Sequence, residues 1–211
     1  MKQPLILIGG GGHCKSCIDV IEAEGKYDIA GILDVKEKVG TSVLNYKIIG
    51  TEDDIEHFSA KEYVFFITVG QLSNAGVRIK LSELLRLTSR SMAKIMSPYA
   101  HVSKYSTVGQ GTIVMHGAKI NAGCTIGGSC ILNTNANIEH DCVIGDFTHV
   151  STGAIINGNC IVGNGVFIGS NAVLVNGITL GSSITIGAGS VVNKSASEPG
   201  VYVGNPFRKL K

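Results

Sequence analysis

From Val102 to Val192 an aliphatic residue recurs at every sixth position without interruption: Val102, Val108, Val114, Ile120, Ile126, Leu132, Ile138, Ile144, Val150, Ile156, Val162, Ile168, Leu174, Leu180, Ile186 and Val192. Chance does not hold one register over that length. A period of six matches neither the turn of an α-helix nor the alternation of an ordinary strand; it is the hexapeptide signature of a parallel β-helix. The residue four places further on is usually small, as at Ser106, Thr112, Ala118, Cys124, Cys130, Ala136, Cys142, Thr148, Ala154 and Cys160. A narrow triangular coil accounts for this, because each flat side turns one large aliphatic side chain inward and a small one fills the remaining space. Three hexapeptides close one coil, so residues eighteen apart stack about 4.8 Å above each other. Each coil covers the open edge of the next, and the two ends need caps. Glycine often follows the aliphatic residue, at Gly109, Gly127, Gly145, Gly163, Gly169, Gly181 and Gly187. These glycines are expected to supply the unusual backbone angles of the corners.

The residues before this stretch follow another pattern. Leu5-Ile6-Leu7-Ile8 is a continuous apolar run, as expected of a strand buried on both faces. Gly9 to Gly12 follow, then helical spacing over 15–24 with Ile18, Val20 and Ile21 on the apolar side and Gly25 as a stop. Strands are predicted over 29–33, ending at Asp34, and over 63–69, ending at Gly70, with a further helix over 74–87. This is a βαβ-type unit with a parallel sheet. The expected organisation is therefore an α/β, Rossmann-like domain at 1–95, a left-handed parallel β-helix at 96–196 and a C-terminal tail at 197–211.

With 44% hydrophobic and only 16% charged residues, the chain can bury a sizeable core. A net charge of +2 and no basic run argue against a nucleic-acid binder; Arg208, Lys209 and Lys211 read as a solvated end. No secretory signal or membrane span is legible, so the cytoplasm is the expected compartment. Cys124, Cys130, Cys142 and Cys160 all fall at the small inward position and read as packed thiols. Cys14 and Cys17 form a CxxC at a helix start, a spacing used in redox and metal sites. With no second CxxC and no paired histidines, it too reads as packing.

The chemistry is expected where charge breaks into the repeats. Between His101 and Val192 the only charged residues are Lys104, Lys119, Glu139, Asp141 and Asp146, and the three acidic ones share a short window with His140 and His149. A β-helix does not need such a cluster to fold. His140 stands two places after Ile138, near a corner and outside the core, where adjoining carboxylates raise its basicity. That is how a general base is prepared. The Gly10, Gly11 and Gly12 run is the second candidate, since backbone N–H groups at a helix start suit phosphate. Asp34, closing the second strand, is placed to accept from a sugar or base.

The segments Ile138-Glu139-His140-Asp141-Cys142, Ile144-Gly145-Asp146-Phe147 and His149-Val150-Ser151 resemble the active-site motif of bacterial sugar O- and N-acetyltransferases of the NeuD/PglD type. Ile8-Gly9-Gly10-Gly11-Gly12-His13 looks like that family's nucleotide-sugar loop, and Val203-Gly204-Asn205-Pro206 resembles the tail that follows many hexapeptide acyltransferase helices. The resemblance covers essentially the whole chain. It implies a homotrimer with active sites between neighbouring β-helices, acetyl-CoA as co-substrate and a nucleotide-linked sugar as acceptor. It implies that His140 is the catalytic base and that Asp141 tunes it, where the family's N-acetyltransferases carry the longer Glu. It further implies that His149 lies near the acetyl thioester, that the backbone of Ser170 and Ala188 lines the coenzyme A groove, and that Gly10, Gly11, Gly12, Asp34 and Gly70 line the nucleotide-sugar pocket.

The leading expectation is acetyl transfer to the amino group of a nucleotide-linked 4-amino-4,6-dideoxy sugar in bacterial glycan or O-antigen biosynthesis. Acetylation of a sialic acid hydroxyl is the alternative, since one sequence does not separate an amine from a hydroxyl acceptor. A non-catalytic scaffold and a zinc hydrolase complete the set. The zinc reading needs three converging histidines, and His116, His140 and His149 do not share a repeat position, so no metal is expected.

Overall fold

The computed structural model describes residues 2–58 and 62–210, which leaves Lys211 of the basic C-terminus outside the described residues. The chain divides into two compact units, Met1–Gly70 with Gly76–Met96, and Gln71–Ala75 with Ser97–Lys211.

In the first unit, β1 (Gln3–Ile8), β2 (Tyr27–Leu33), β3 (Ser42–Val43), β4 (Tyr46–Gly50) and β5 (Val64–Ile67) form one sheet in the order β3-β4-β2-β1-β5. All pairs are parallel except β3 with β4. The helices are α1 (Gly12–Glu24) and α2 (Gly76–Leu87). Helix α1 buries Cys14, Cys17, Ile18 and Ile21, one stripe at helical spacing, and Gly25 ends it in the left-handed conformation with its N–H on the Ile21 carbonyl. The CxxC is thus the buried stripe of an amphipathic helix. Burial raises both thiols above their ordinary range, which disfavours the thiolate that redox or metal chemistry needs. Ile6, Ile8, Leu33, Phe65, Ile67, Leu81 and Leu85 form the core on the α2 side. The hairpin of β3 and β4 was not anticipated: its strands are short, and only Val43, Ile48 and Gly50 are buried.

The second unit is a parallel β-helix. Its first face stacks strands at 101–102, 119–120, 137–138, 155–156, 173–174 and 191–192; its second, strands at 107–108, 125–126, 143–144, 161–162 and 179–180. The third continues through 113–114, 131–132, 149–150, 167–168 and 184–186. Every pairing from Thr107↔Thr125 to Val173↔Val191 spans eighteen residues. The inward aliphatics from Val114 to Val192 are at most 2% exposed, and burial of each contributes about 1.5–3 kcal/mol. Val102 and Val108, on the terminal coil, are only half-buried. At the far end Gly200–Val203 adds to the third face and Arg208–Lys209 pairs back on it, with Tyr202 and Phe207 buried. Residues 197–210 therefore carry the cap that the open coil requires.

The corners differ from the sequence expectation. Left-handed backbone falls on the third residue after each aliphatic, from Gly111 through Asn135, Asp141 and Asn159 to Gly189, in unbroken steps of six. The glycines directly after the aliphatic do not adopt it. They are needed for close approach: a Cβ on Gly145 would lie 2.6 Å from the Gly163 carbonyl carbon, and one on Gly163 2.8 Å from that of Gly181.

The small inward residues also do more than fill space. At two of the three corners the carbonyl after the aliphatic turns inward, and a side chain of the preceding coil donates to it. Thr112 donates to Gly127, Cys124 to Glu139, Cys130 to Gly145, Cys142 to Asn157, Thr148 to Gly163 and Cys160 to Val175, over 2.8–3.2 Å. At the third corner the backbone closes on itself, with the N–H of Ala136, Ala154 and Ala172 reaching the carbonyls of Asn133, Ser151 and Gly169. In these coils alanine suffices where the amide serves, and Thr or Cys stands where it does not, because a buried carbonyl left unpaired costs about 1–3 kcal/mol. The rule ends in the later coils, where Val166, Ile178 and Ile184 take the inward place.

Candidate active site

His140 and Asp141 occupy the corner between the first and second faces. Asp141 has φ +60°, a conformation that Asp tolerates better than most residues. That bend turns its short carboxylate onto the neighbouring ring, so that Oδ2 lies 2.8 Å from His140 Nδ1. A carboxylate only accepts, so Nδ1 carries the proton and the Nε2 lone pair is the basic one. The hydrogen bond to Asp141 is the main cause that lifts the imidazole above its ordinary pKa, with the charges of Asp141 and Glu139 adding to it and desolvation opposing. Both side chains are more than half exposed. The shorter arm of Asp thus reaches the imidazole within hydrogen-bond distance.

The ring rests on Gly158, one coil further on. A Cβ there would lie 2.6 Å from both Cε1 and Nε2. Gly158 was not singled out from the sequence, although its offset of eighteen from His140, away from the usual glycine positions, is a usable signal. Glu139 was grouped with the acidic window, and its geometry is specific: Oε1 accepts from Asn137 Nδ2 and Oε2 from Asn121 Nδ2, each at 2.8 Å.

The rest of that window disperses. Asp146 lies at the corner between the second and third faces, where its Oδ1 accepts from the Gly128 N–H and its own N–H reaches Asn164. It belongs to the corner scaffold and does not join His140. His149 lies on the third face, 5% exposed. Its Nδ1 donates to the Gln71 carbonyl at 2.6 Å, Nε2 accepts from Asn133 at 3.1 Å, and Phe167 packs edge-on against the ring. Ser170 and Ala188 stack one coil apart at the corner between the third and first faces, with Ser170 Oγ 3.0 Å from Ser151 Oγ. One protomer therefore carries His140 and the Ser170–Ala188 pair on different edges of its prism. A chain that turns a third of a revolution every six residues separates what a linear window groups.

In the first unit the carboxyl ends of β1, β2 and β5 bring the glycine run, Asp34 and Gly70 together. Asp34 Oδ2 accepts from the Gly10 N–H at 2.7 Å and from Lys38 Nζ at 2.8 Å, and Oδ1 accepts from the Val35 N–H. Burial alone would raise this carboxyl, but Lys38 and the two amides outweigh it and hold it below the usual range. Gly10 and Asp34 thus brace one another, while Gly11 and Gly12 face open space where α1 begins with no side-chain cap. Gly70 lies against His13, in the first turn of α1.

Removing the Asp141 charge tests the pair directly. In Asp141→Asn the imidazole loses the partner that raises its pKa, so the acid limb of the pH–rate profile moves to lower pH. The plateau rate falls with it, because a weaker base takes the proton less readily. A limb that stays in place would show that Asp141 does not tune His140.

Three comparisons bear on the chain. Residues 4–85 match the family model of the PglD N-terminal domain. The UDP-N-acetylbacillosamine N-acetyltransferase of Bacillus subtilis (strain 168) is 33% identical over 111 residues, 52% of this chain and 50% of that protein, so the match spans about half the length of this curated relative. Among solved structures, the acetyltransferase domain of PglB from Neisseria gonorrhoeae FA1090, in complex with acetyl coenzyme A, superposes with a TM-score of 0.91 at 30% identity, covering 100% of both chains. PerB from Caulobacter crescentus, in complex with CoA and GDP-perosamine, gives 0.75 at 26% identity over 99% of this chain and 97% of that one. The acetyltransferase fold of these proteins, an α/β domain followed by a left-handed β-helix, is the architecture described above. Among the described residues no helix is long and apolar enough to cross a membrane.

Proposed function

Because the chain belongs to the PglD/NeuD-type sugar acetyltransferases, we infer that it moves the acetyl group of acetyl-CoA onto the amino group of a nucleotide-linked 4-amino-4,6-dideoxy sugar, a step of bacterial glycan or O-antigen biosynthesis in the cytoplasm. The observation that carries this reading is the exposed imidazole of His140, held by Asp141 so that Nε2 is its basic atom. The neutral amine attacks the thioester carbonyl and a C–N bond forms. His140 Nε2 takes the proton that the nitrogen sheds, the C–S bond breaks, and the leaving thiolate is protonated to free coenzyme A. A backbone N–H stabilises the oxyanion. The thiol is already a good leaving group, so no acyl-enzyme is required.

Acetyl coenzyme A in the PglB complex, and CoA with GDP-perosamine in the PerB complex, support these two substrate classes. Ser170 and Ala188 line the coenzyme groove, and His149, with both ring nitrogens engaged, forms a fixed wall of it. Gly11 and Gly12 offer their N–H groups to the diphosphate, over the brace of Gly10 and Asp34, and Gly70 leaves room beside them. The working assembly is a homotrimer: a neighbouring copy brings its coenzyme edge to His140. The second face, beside the His140 corner, supports this, since it exposes Val143 and Ile161 at 44% and 50%.

A thiol-release assay with acetyl-CoA tests the reading, using UDP-, dTDP- and GDP-linked 4-amino-4,6-dideoxy sugars beside free and CMP-linked sialic acid. Free thiol is expected with an amino sugar and with neither sialic acid. Release with sialic acid alone would reassign the acceptor, and release with none would remove the activity.

A further inference from the structure

We propose that Glu139 is the group that selects an amine acceptor, by binding the sugar's protonated amino group beside His140. The inference rests on the functional reading above and names the residue behind its acceptor class. Both carboxylate oxygens of Glu139 are fixed by neutral amides, Asn137 Nδ2 on Oε1 and Asn121 Nδ2 on Oε2. Neither amide cancels the charge. Among the described residues no Lys, Arg or His forms an ion pair with Glu139. The charged and titratable groups around it are His140 and Asp141 on the same turn, Lys119 on the strand in register with Asn137, and the Cys124 thiol, which donates to the Glu139 backbone carbonyl at 3.0 Å. The charge of Glu139 adds to the basicity of the neighbouring His140, and neither of its hydrogen-bond partners neutralises it. An incoming ammonium gains a charge-assisted contact.

The proton balance gives such a group a task that a hydroxyl acceptor lacks. An aliphatic amine is largely an ammonium at neutral pH. It releases one proton to solvent before attack and a second to His140 as the C–N bond forms and the C–S bond breaks. A hydroxyl arrives uncharged and releases only one. Glu139 collects the abundant ammonium form at the site where it is to be deprotonated, while the Nε2 lone pair stays available.

The test uses Glu139→Gln, which keeps the side chain's size and an acceptor for one of the two amides. The amino sugar turned over by the unaltered enzyme serves as substrate, and its 4-hydroxy counterpart serves as inhibitor. At pH 7 the variant's KM for the amino sugar should rise about ten- to a hundredfold, with the KM for acetyl-CoA unchanged. The inhibition constant of the 4-hydroxy compound should also stay unchanged. The KM penalty should shrink as pH rises and the free amine becomes dominant. An unchanged KM for the amino sugar overturns the proposal, and so does an equal loss for amine and hydroxyl compounds, the mark of a merely structural role. If the unaltered enzyme turns over no amino sugar, the functional reading falls and takes this inference with it. An active enzyme beside an indifferent variant removes this inference alone.

Discussion

Exchange of His140 for alanine lowers turnover about 10²–10⁴-fold, the usual contribution of a positioned general base. The loss falls on kcat. The imidazole is more than half exposed and its one carboxylate partner is equally open to water, so the fold gives up little. Thermal unfolding and the solution mass of the assembly therefore stay as they were. Thiol release with a saturating amino sugar measures the effect, and near-normal turnover would remove His140 from the mechanism. The remaining rate is that of an amine held against a thioester with no base to receive its proton.

Alanine at Gly158 should reproduce much of that loss without touching a titratable atom. The backbone there is not left-handed, so alanine meets no conformational penalty. The new methyl group would lie 2.6 Å from Cε1 and Nε2 of His140, the mobile end of a side chain. The ring swings aside and the coil keeps its register. A displacement of about 1 Å in reacting groups costs on the order of 10²-fold, so kcat should fall by about that factor with little change in the unfolding midpoint. The double variant Gly158→Ala with His140→Ala should be no slower than His140→Ala alone, because the glycine acts only through the ring. A Gly158→Ala enzyme with full activity, or a double variant that is much slower, would mean that the imidazole works from elsewhere.

Gly158 and Glu139 mark where linear reading stops. The hexapeptide series was enough to foresee the prism, the stacking of residues eighteen apart and the inward place of four cysteines, because a period is a property of the chain itself. His140 was legible for a related reason: charge is scarce in the repeats, and its register puts it at a corner. Sequence distance alone groups Asp146 and His149 with it, although the coil carries one to another corner and the other onto the third face. For the glycines after each aliphatic residue, linear reading names the wrong physical cause. Both tight turns and close approach favour glycine, and only the backbone angles and the distances to the next coil separate the two.

The sequence by itself determined the architecture, two differently patterned regions with a repeating coil in the second, and the pairing of an exposed imidazole with its adjoining carboxylate. Those follow from periodicity, charge and nearest-neighbour position. Only the tertiary structure decided that the imidazole lies on a bare glycine one coil away, that Cys124 and Cys142 hold corner carbonyls with their thiols, and that Glu139 is fixed by two amides from different strands. Apart from the Asn137 amide, which lies two residues before Glu139 on the same coil, each is a contact between coils, made by a translation of about 4.8 Å across the stack. A linear chain records such neighbours only as residues far apart.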